Sequence, residues 1–462
     1  MEFEQQAGFV SERFRPAPHE RLLHWAFIAL ALVVSFELVR RAIPNYLPRN
    51  WEGAHEFDAI EDWKAARLYF QGISPFSAQG LAVIGQSTMG HPPTAPFWFL
   101  PVAEFPKATV VQLCTFMVWV LLPIHTFLCA STLKFPAPYA TALFAASALF
   151  ASSFVRYHCD ATQLSEPIAV LYVAAWCSLR RGHELRAGAC LGLALTMKLF
   201  PGVMLVMLLF AKRFRALSAA VVSYLSIALF MTKTYGLRSW YDFFHQQSDI
   251  SQLWLGSNAN SSISGLTLQL MKPACVGPAQ PTPLSTLTTV ACSLLLLAAA
   301  LRFSWRHFEL AAERDERDAS AIDLPFSLFS LLSVFLNAWV WEHYAVLAIQ
   351  PLFVLVAFFG RAWLAALRKW CEEQLTTKQL ARAAAVLLLA AAGIGLTLHA
   401  LSADSHKRGD LLSLWQTHHV PSYHRAFHWL QVENFVVWVV PISLCFLALR
   451  LSRPKPAIDA QS

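Results

Sequence analysis

A short acidic stretch follows the first long apolar segment of the chain, and its carboxylates are well placed to do chemistry. Glu56, Asp58, Glu61 and Asp62 come shortly after the apolar segment 22–43 has ended. A carboxylate that is ionised near neutral pH can accept a proton from a substrate hydroxyl. The same groups can also cap a helix or form its solvated face. Spacing alone leaves both interpretations open.

The composition identifies the environment of these carboxylates. Hydrophobic residues make up 56% of the 462 positions and charged residues only 14%. This balance excludes an ordinary soluble domain and indicates an integral membrane protein. The net charge of +7 does not indicate nucleic acid binding, because the basic residues cluster in loops where membrane orientation already accounts for them.

Apolar runs that are long enough to cross a bilayer recur along the whole chain and predict an all-α polytopic fold. We expect ten full transmembrane helices at about 22–43, 109–131, 138–155, 164–179, 216–232, 285–301, 324–341, 344–360, 383–400 and 434–450. The distribution of Lys and Arg places both termini in the cytoplasm. Residues 1–462 then form a single membrane domain.

One apolar segment is interrupted halfway. Residues 187–210 contain Lys198, Pro201 and Gly202 at their centre, and basic residues flank both ends. Proline ends a helix, and cytoplasmic basic residues on both sides are incompatible with one crossing. We therefore predict a re-entrant helical pair. Lys198 is expected to act as a structural intramembrane charge paired with Glu166 or Glu37, with catalysis as the alternative.

This topology predicts three long loops on the extracytoplasmic face, namely 44–108, 233–284 and 401–433. The first loop contains Phe57, Ile60, Lys64 and Leu68 at helical spacing. That spacing predicts an amphipathic helix lying along the membrane interface, with Asp58 at its start. Long loops on one face usually carry function. We therefore expect an extracytoplasmic active site.

Several short motifs then occur in a fixed order. Asp58 is followed by Trp63, Ala65-Ala66, Gly72 and Pro75-Phe76. Further motifs are His91-Pro92-Pro93-Thr94-Ala95-Pro96, Gln163, Gly188 with Gly192, Lys198 with Pro201, Asn260-Ser261-Ser262-Ile263 and Trp341-Glu342-His343-Tyr344. Over about residues 20 to 360 this order resembles the bacterial polyprenol-phosphate-dependent glycosyltransferases of family 87. That family has the GT-C fold and includes phosphatidylinositol-mannoside α-mannosyltransferases.

The resemblance implies an inverting glycosyltransferase in the bacterial plasma (inner) membrane. The donor would be a polyprenyl-phosphate-linked sugar, mannose or a related pentose, and the acceptor a lipid or glycan. Asp58 would be the general base, with Asp62 in reserve. No cofactor is implied, and a divalent metal stays open as an alternative. The sequence differs from the family where Asp62, Trp63 and His91 stand, which affects the sugar and acceptor more than the fold.

A phosphate leaving group calls for cations or imidazoles opposite Asp58. His343 is the first choice for this role, with Arg156 and His158 as further phosphate-binding candidates. Because Trp341 and Tyr344 flank His343 between two spans, an interfacial turn with an aromatic belt is the alternative. Contacts to the sugar or acceptor are expected from Asp62, His91, Gln163, Asn260, Ser262, Trp341 and Tyr344.

The last predicted external loop contains histidines that could bind a metal. His424 and His428 are four residues apart, a spacing compatible with zinc, but no Cys or Asp joins them at ligand spacing. We predict no metal site there.

A transporter or flippase is the alternative function. It would also have broken helices and intramembrane charges, but it should show paired interruptions in two related halves. No second interruption matches the one at Lys198.

Overall fold

The computed structural model is helical throughout the part of the chain that it describes. This part consists of residues 25, 28–29, 31–40, 58–86, 88–135, 137–152, 155, 158–159, 162–255, 260–271, 281–313, 319–338, 340, 342–360 and 438–451. No strand occurs among these residues, as predicted. The predicted span 383–400, the loop 401–433 with His424 and His428, Arg156 and Trp341 lie outside the described residues.

The helices follow one another with short connections. In chain order they are α1 (31–40), α2 (Asp58–Tyr69), α3 (Ala78–Ile84), α4 (Lys107–Thr132), α5 (Pro138–Phe150), α6 (Ser165–Arg180), α7 (Glu184–Met197), α8 (Gly202–Phe210), α9 (Phe214–Tyr235), α10 (Arg238–Trp254), α11 (Ile263–Met271), α12 (Pro283–Glu313), α13 (Asp323–Phe335), α14 (349–360) and α15 (Trp438–Leu451). A 3-10 helix at Ala95–Val102 precedes α4, and another at Glu342–Ala348 precedes α14.

Four segments of the described chain are long and apolar enough to cross a bilayer: Lys107–Thr132, Phe214–Tyr235, Pro283–Glu309 and His343–Gly360. Each coincides with a predicted span. Shorter apolar helices occupy Pro138–Phe150, Ser320–Phe335 and Trp438–Leu451. The predicted span 164–179 forms α6, which is 16 residues long and has most of its side chains inside the bundle. Ten crossings stay a prediction.

The interruption predicted within 187–210 is present. The helix α7 ends at Met197, Lys198 has an extended backbone with φ −147° and ψ 150°, and α8 begins at Gly202. Pro201 precedes α8 directly, a position where its missing N–H costs no helical hydrogen bond. The break therefore presents Lys198 at the end of a helix. The re-entrant arrangement of the pair is still a prediction.

Close packing of α7 against α9 sets the position of this break. A Cβ atom added at Gly188 would lie 2.0 Å from the carbonyl oxygen of Ala216, and one added at Gly192 would lie 2.4 Å from that of Ala220. Two glycines four residues apart share one helix face, so the backbones of α7 and α9 approach closely. These glycines are a packing requirement.

The helix α2 is present as predicted and is largely buried in the protein; its place along the membrane interface stays a prediction. Seven of its twelve residues are buried, and they lie on more than one face: Ala59, Ile60, Asp62, Trp63, Ala65, Ala66 and Leu68. The small alanines allow the 3-10 helix Ala95–Val102 to pack closely against α2. Ala65 also accepts a hydrogen bond from the Tyr235 hydroxyl at 2.8 Å. The helix is part of the protein core.

The segment around His343 also differs from the prediction. Instead of a tight turn between two spans, Glu342–Ala348 is a 3-10 helix that continues into α14. His343 and Tyr344 are both buried and lie against the bundle. The chain therefore brings these two side chains inward before the long apolar helix begins.

Candidate functional site

Asp58 is held between two cationic side chains that come from distant parts of the chain. Its Oδ2 atom lies 3.1 Å from Lys198 Nζ and 3.2 Å from His91 Nε2. Lys198 extends from the break after α7, and His91 belongs to the loop before the 3-10 helix Ala95–Val102. Both contacts fall on one carboxylate oxygen, and 29% of the Asp58 side chain is exposed. The group can therefore still accept a hydrogen bond from a substrate.

Asp62 lies one helical turn after Asp58 and contacts the other nitrogen of the same imidazole. Its Oδ2 is 2.7 Å from His91 Nδ1, and the side chain is fully buried. The alternative interpretation, in which Asp62 belongs to a solvated face of the helix, is therefore wrong. The spacing i, i+4 puts Asp58 and Asp62 on one side of α2, and this side faces the protein interior. His91 bridges the two carboxylates.

The charges of this group follow from their mutual positions. Burial raises the pKa of Asp58, but the neighbouring Lys198 and His91 outweigh burial and hold this pKa well below its usual range. Burial lowers the pKa of His91, but Asp62 and Asp58 outweigh burial and raise it to about 10. At neutral pH Asp58 is therefore an anion and His91 an imidazolium.

The third acid of α2 behaves differently. Burial, followed by the nearby Asp58 carboxylate, raises the pKa of Glu61 to about 8. Burial and Asp58 also raise the pKa of Asp62, against the opposing effect of His91. Neighbouring acids in one site repel each other's charge, so their protonation states diverge. Asp58 is the member of this group whose surroundings favour the carboxylate form.

Lys198 is surrounded by predicted site residues. Its Nζ donates to the Tyr344 hydroxyl at 3.0 Å and to Gln163 Oε1 at 3.3 Å, and it lies 4.7 Å from the centre of the Tyr344 ring. The partner expected from the sequence was wrong. Glu37 pairs with Arg40 in the structure, and Glu166 pairs with His125. Lys198 does not reach either acid because it extends from the end of α7 toward α2.

Backbone and side-chain hydrogen bonds join the segments that carry the site in two pairs. Thr94 Oγ1 donates to the Thr196 carbonyl at 2.7 Å, and Trp98 Nε1 donates to Thr196 Oγ1 at 2.9 Å. These bonds connect the His91 loop to the end of α7, two residues before Lys198. The Ala59 amide donates to the Thr162 carbonyl at 3.3 Å, next to Gln163. No pattern in the sequence indicates this role for Thr196.

Two further histidines lie beside this group. The rings of His158 and His343 have centroids 6.4 Å apart, and the His343 ring lies 4.4 Å from that of Tyr344. Both histidines are buried. Burial and the nearby Lys198 lower the pKa of His158 to about 3, so this imidazole is neutral and can donate one hydrogen bond to an anionic ligand.

The side chains of the Asn260 motif form hydrogen bonds that connect two segments of the backbone. Asn260 Nδ2 donates to the carbonyls of Leu255 and Ala338, and its Oδ1 accepts from the amides of Ser262 and Val340. Ser262 Oγ donates to Ala338 as well. These bonds fasten the start of α11 to the segment before His343. Direct contact of Asn260 or Ser262 with a sugar stays a prediction.

No group of three or more His, Cys, Asp or Glu side chains within the described ranges has a geometry that could hold a metal ion. In Asp58, His91 and Lys198, one anion faces two cations. The site is therefore one partly exposed carboxylate within a cationic and imidazole-rich surround. Such an arrangement can accept a proton on one side and stabilise negative charge nearby.

Comparison with known proteins agrees with this chemistry. The sequence profile of glycosyltransferase family 87 matches residues 90–322, which include His91, His158, Gln163, Lys198 and Asn260. Asp58, Asp62 and His343 lie outside the matched range. No match was found among curated proteins. The match supports glycosyl transfer at a membrane and not the transporter alternative. Since it covers half of the sequence, the chain belongs to glycosyltransferase family 87.

Proposed function

We propose that this membrane glycosyltransferase moves a sugar from a polyprenyl-phosphate donor to a lipid or glycan acceptor on the extracytoplasmic face, with inversion and with Asp58 as general base. The observation that carries the proposal is the Asp58 carboxylate, which is partly exposed and kept ionised by Lys198 and His91. Mannose or a related pentose is the proposed sugar.

The reaction balances with the groups present. The acceptor oxygen attacks the anomeric carbon while the bond from that carbon to the phosphate oxygen breaks, and the phosphate leaves with the bonding electrons. Asp58 accepts the proton that the acceptor hydroxyl loses. Lys198 and His91 keep Asp58 charged before the reaction. A nucleotide sugar is not available outside the cytoplasm, which favours a lipid-phosphate donor on that face.

We place the leaving phosphate near His343 and His158, with Lys198 between them and Asp58. These imidazoles are buried beside Tyr344. The charge of Lys198 lowers the pKa of His158 as well as that of Asp58. Donors and a fixed positive charge stabilise negative charge that develops on a leaving oxygen. Gln163 and Tyr344 both accept a hydrogen bond from Lys198 and would hold the ammonium group in place.

The test uses the purified full-length protein in phospholipid nanodiscs. It is supplied with polyprenyl-phosphate mannose or a polyprenyl-phosphate pentose and with a membrane lipid extract, and glycosylated products are followed by mass spectrometry. Asp58→Asn and Asp58→Ala should lower the rate by about 10² to 10⁴, the usual contribution of a general base. Glu104→Gln removes an exposed acid of the same loop and should keep full activity.

The outcomes separate the parts of the proposal. Turnover by the wild type with loss in both Asp58 variants and not in Glu104→Gln supports it. Equal turnover by wild type and Asp58→Ala overturns the role of Asp58. Transfer from a soluble nucleotide sugar, with none from any polyprenyl-phosphate sugar, overturns the donor.

A further inference from the structure

The helix α10 has three different faces, although it follows a candidate membrane span directly. Its protein-facing side contains Ser239, Phe243 and Ile250, all of which are buried. The Phe243 ring packs edge-on against Phe76, with centroids 5.7 Å apart. At 100° per residue these positions fall on one side of the helix. This side attaches α10 to the segment that leads to His91.

Side-chain amides on the same side hold that segment by its backbone. Gln246 Nε2 donates to the Phe76 carbonyl at 3.0 Å, and Gln246 Oε1 accepts from the Met89 amide at 3.1 Å. Gln247 Nε2 donates to the carbonyls of Met89 and Gly90, at 3.3 and 3.2 Å. Gly90 directly precedes His91. The position of α10 therefore sets the position of the His91 loop.

A second face of α10 is apolar and uncovered by the described protein. Leu237, just before the helix, is 79% exposed, Tyr241 67% and Phe244 59%. Their spacing of four and three residues forms a continuous stripe. Three large apolar side chains in one exposed row indicate an interaction surface.

The third face is polar and lies beside this stripe. It consists of exposed or half-buried charged and imidazole side chains, namely Arg238, Asp242, His245 and Asp249. Arg238 pairs with Asp242 one turn on, at 3.7 Å. An apolar stripe and a polar stripe on one helix, separated by about a quarter turn, suit a boundary between lipid and water.

The location of α10 indicates that membrane lipid covers its apolar stripe. The candidate span Phe214–Tyr235 ends two residues before Leu237, and its last turns expose Leu229 to the surroundings. Trp240 Nε1 donates to Thr232 Oγ1 at 2.8 Å, so the side of α10 next to the apolar stripe is tied back to the last turns of α9. The exposed apolar surface of the span thus continues into the stripe on α10.

We propose that α10 lies in the membrane–water interface at the C-terminal end of α9, with Leu237, Tyr241 and Phe244 among the lipid acyl chains and headgroups. Its opposite face holds the segment before His91. The bilayer surface is then the outer support of this part of the protein. This is the interfacial role that the sequence pattern assigned to α2.

Depth-dependent quenching tests the location without reference to activity. An environment-sensitive fluorescent amino acid replaces Phe244, Tyr241 or, as the matched control, His245 in the full-length protein in phosphatidylcholine vesicles. Lipids with brominated acyl chains should quench the probes at 241 and 244 strongly and blue-shift their emission. The probe at 245 should be quenched much less. Equal quenching at 244 and 245, or none at 244 while a probe at Leu229 is quenched, overturns the proposal.

A measurement on the unsubstituted protein guards against variants that fail to insert. A phospholipid with a photoreactive diazirine in its acyl chain is incorporated into the vesicles and irradiated, and the adducts are located by peptide mass spectrometry. Adducts on residues 237–244 support the interfacial position. Adducts confined to α9 and the other spans, with none on α10, contradict it.

Discussion

The Oδ2 atom of Asp58 and the Nζ atom of Lys198 lie 3.1 Å apart although 140 positions separate them in sequence. Asp58 begins a helix that is buried in the bundle, and Lys198 stands where a broken helix ends. Each residue compensates the charge of the other in a site that is largely closed to water. The pair joins the acidic stretch of the first loop to the interruption that the sequence shows at Pro201.

Replacing Lys198 should change the pH dependence of transfer. Lys198 and His91 outweigh burial in holding the pKa of Asp58 low, so Lys198→Gln should raise that pKa. Because the general base must be ionised, the acidic limb of kcat/KM should move to higher pH. A pH–rate series on wild type and variant measures this shift.

A second lysine provides the control for that experiment. Lys64 belongs to α2, like Asp58, and its Nζ donates to the Ile84 carbonyl at 2.8 Å. Lys64→Gln should leave the acidic limb where the wild type has it. An unchanged limb in Lys198→Gln, or an equal shift in both variants, would contradict the electrostatic role of Lys198.

His91 should contribute stability that depends on pH. Its pKa in the folded protein is raised to about 10 from an ordinary value of 6.5. A group with a raised folded pKa contributes its full stabilisation below the unfolded pKa and loses it as the pH rises through the folded value. The difference in Tm between wild type and His91→Gln in detergent should therefore be largest at or below pH 6.5 and should shrink toward pH 10. A difference that grows with pH would exclude the bridging imidazolium.

The contact between α7 and α9 should not tolerate an added methyl group at Gly188. A Cβ there would lie 2.0 Å from a backbone oxygen, which cannot yield as a flexible side chain would. Overpacking of this kind costs about 1–3 kcal/mol, so Gly188→Ala should lower the Tm in detergent. Gly202→Ala is the matched control because its added Cβ meets only Leu195 Cδ1, at 3.7 Å. Similar Tm values for both variants would show that the backbones separate easily.

Asn260 should support the site at a distance through the segment before His343. Its side chain bonds Leu255, Ala338, Ser262 and Val340. Asn260→Ala leaves buried backbone groups without partners, and each such loss costs about 1–3 kcal/mol. We expect lower thermal stability and a reduced kcat. Ser261→Ala should be neutral, since Ser261 bonds Val340 through its backbone amide; an equal loss in both variants would point to a general sensitivity of the loop.

Local signals in the sequence predicted the local features of this molecule. Proline and glycine at 201 and 202 indicated the break after α7, and Gly72, with φ +68°, follows the end of α2. The apolar runs gave the four long helices because their length and composition suffice. Each of these features depends on residues that are close together in the chain.

Features that depend on distant partners could not be predicted in the same way. The pattern of α2 showed one apolar face, but Ala59, Ala65 and Ala66 are neutral in such a pattern and proved to be the sites of close packing. The predicted partners of Lys198 are acids in or beside apolar runs, whereas its partner in the structure, Asp58, begins the helix α2 of the first loop. The bridging of Asp58 and Asp62 by His91 depends on how the first loop folds back.

The hydrogen bonds from Thr94 and Trp98 to Thr196 have a consequence for how substrate meets the site. They tie the His91 loop to the end of the helix that presents Lys198, so the two cations keep their separation before any ligand arrives. The entropic cost of ordering these side chains is incurred during folding and not during binding. The electrostatic part of the site is preorganised, and the adjustments that accompany sugar binding fall on the groups around it.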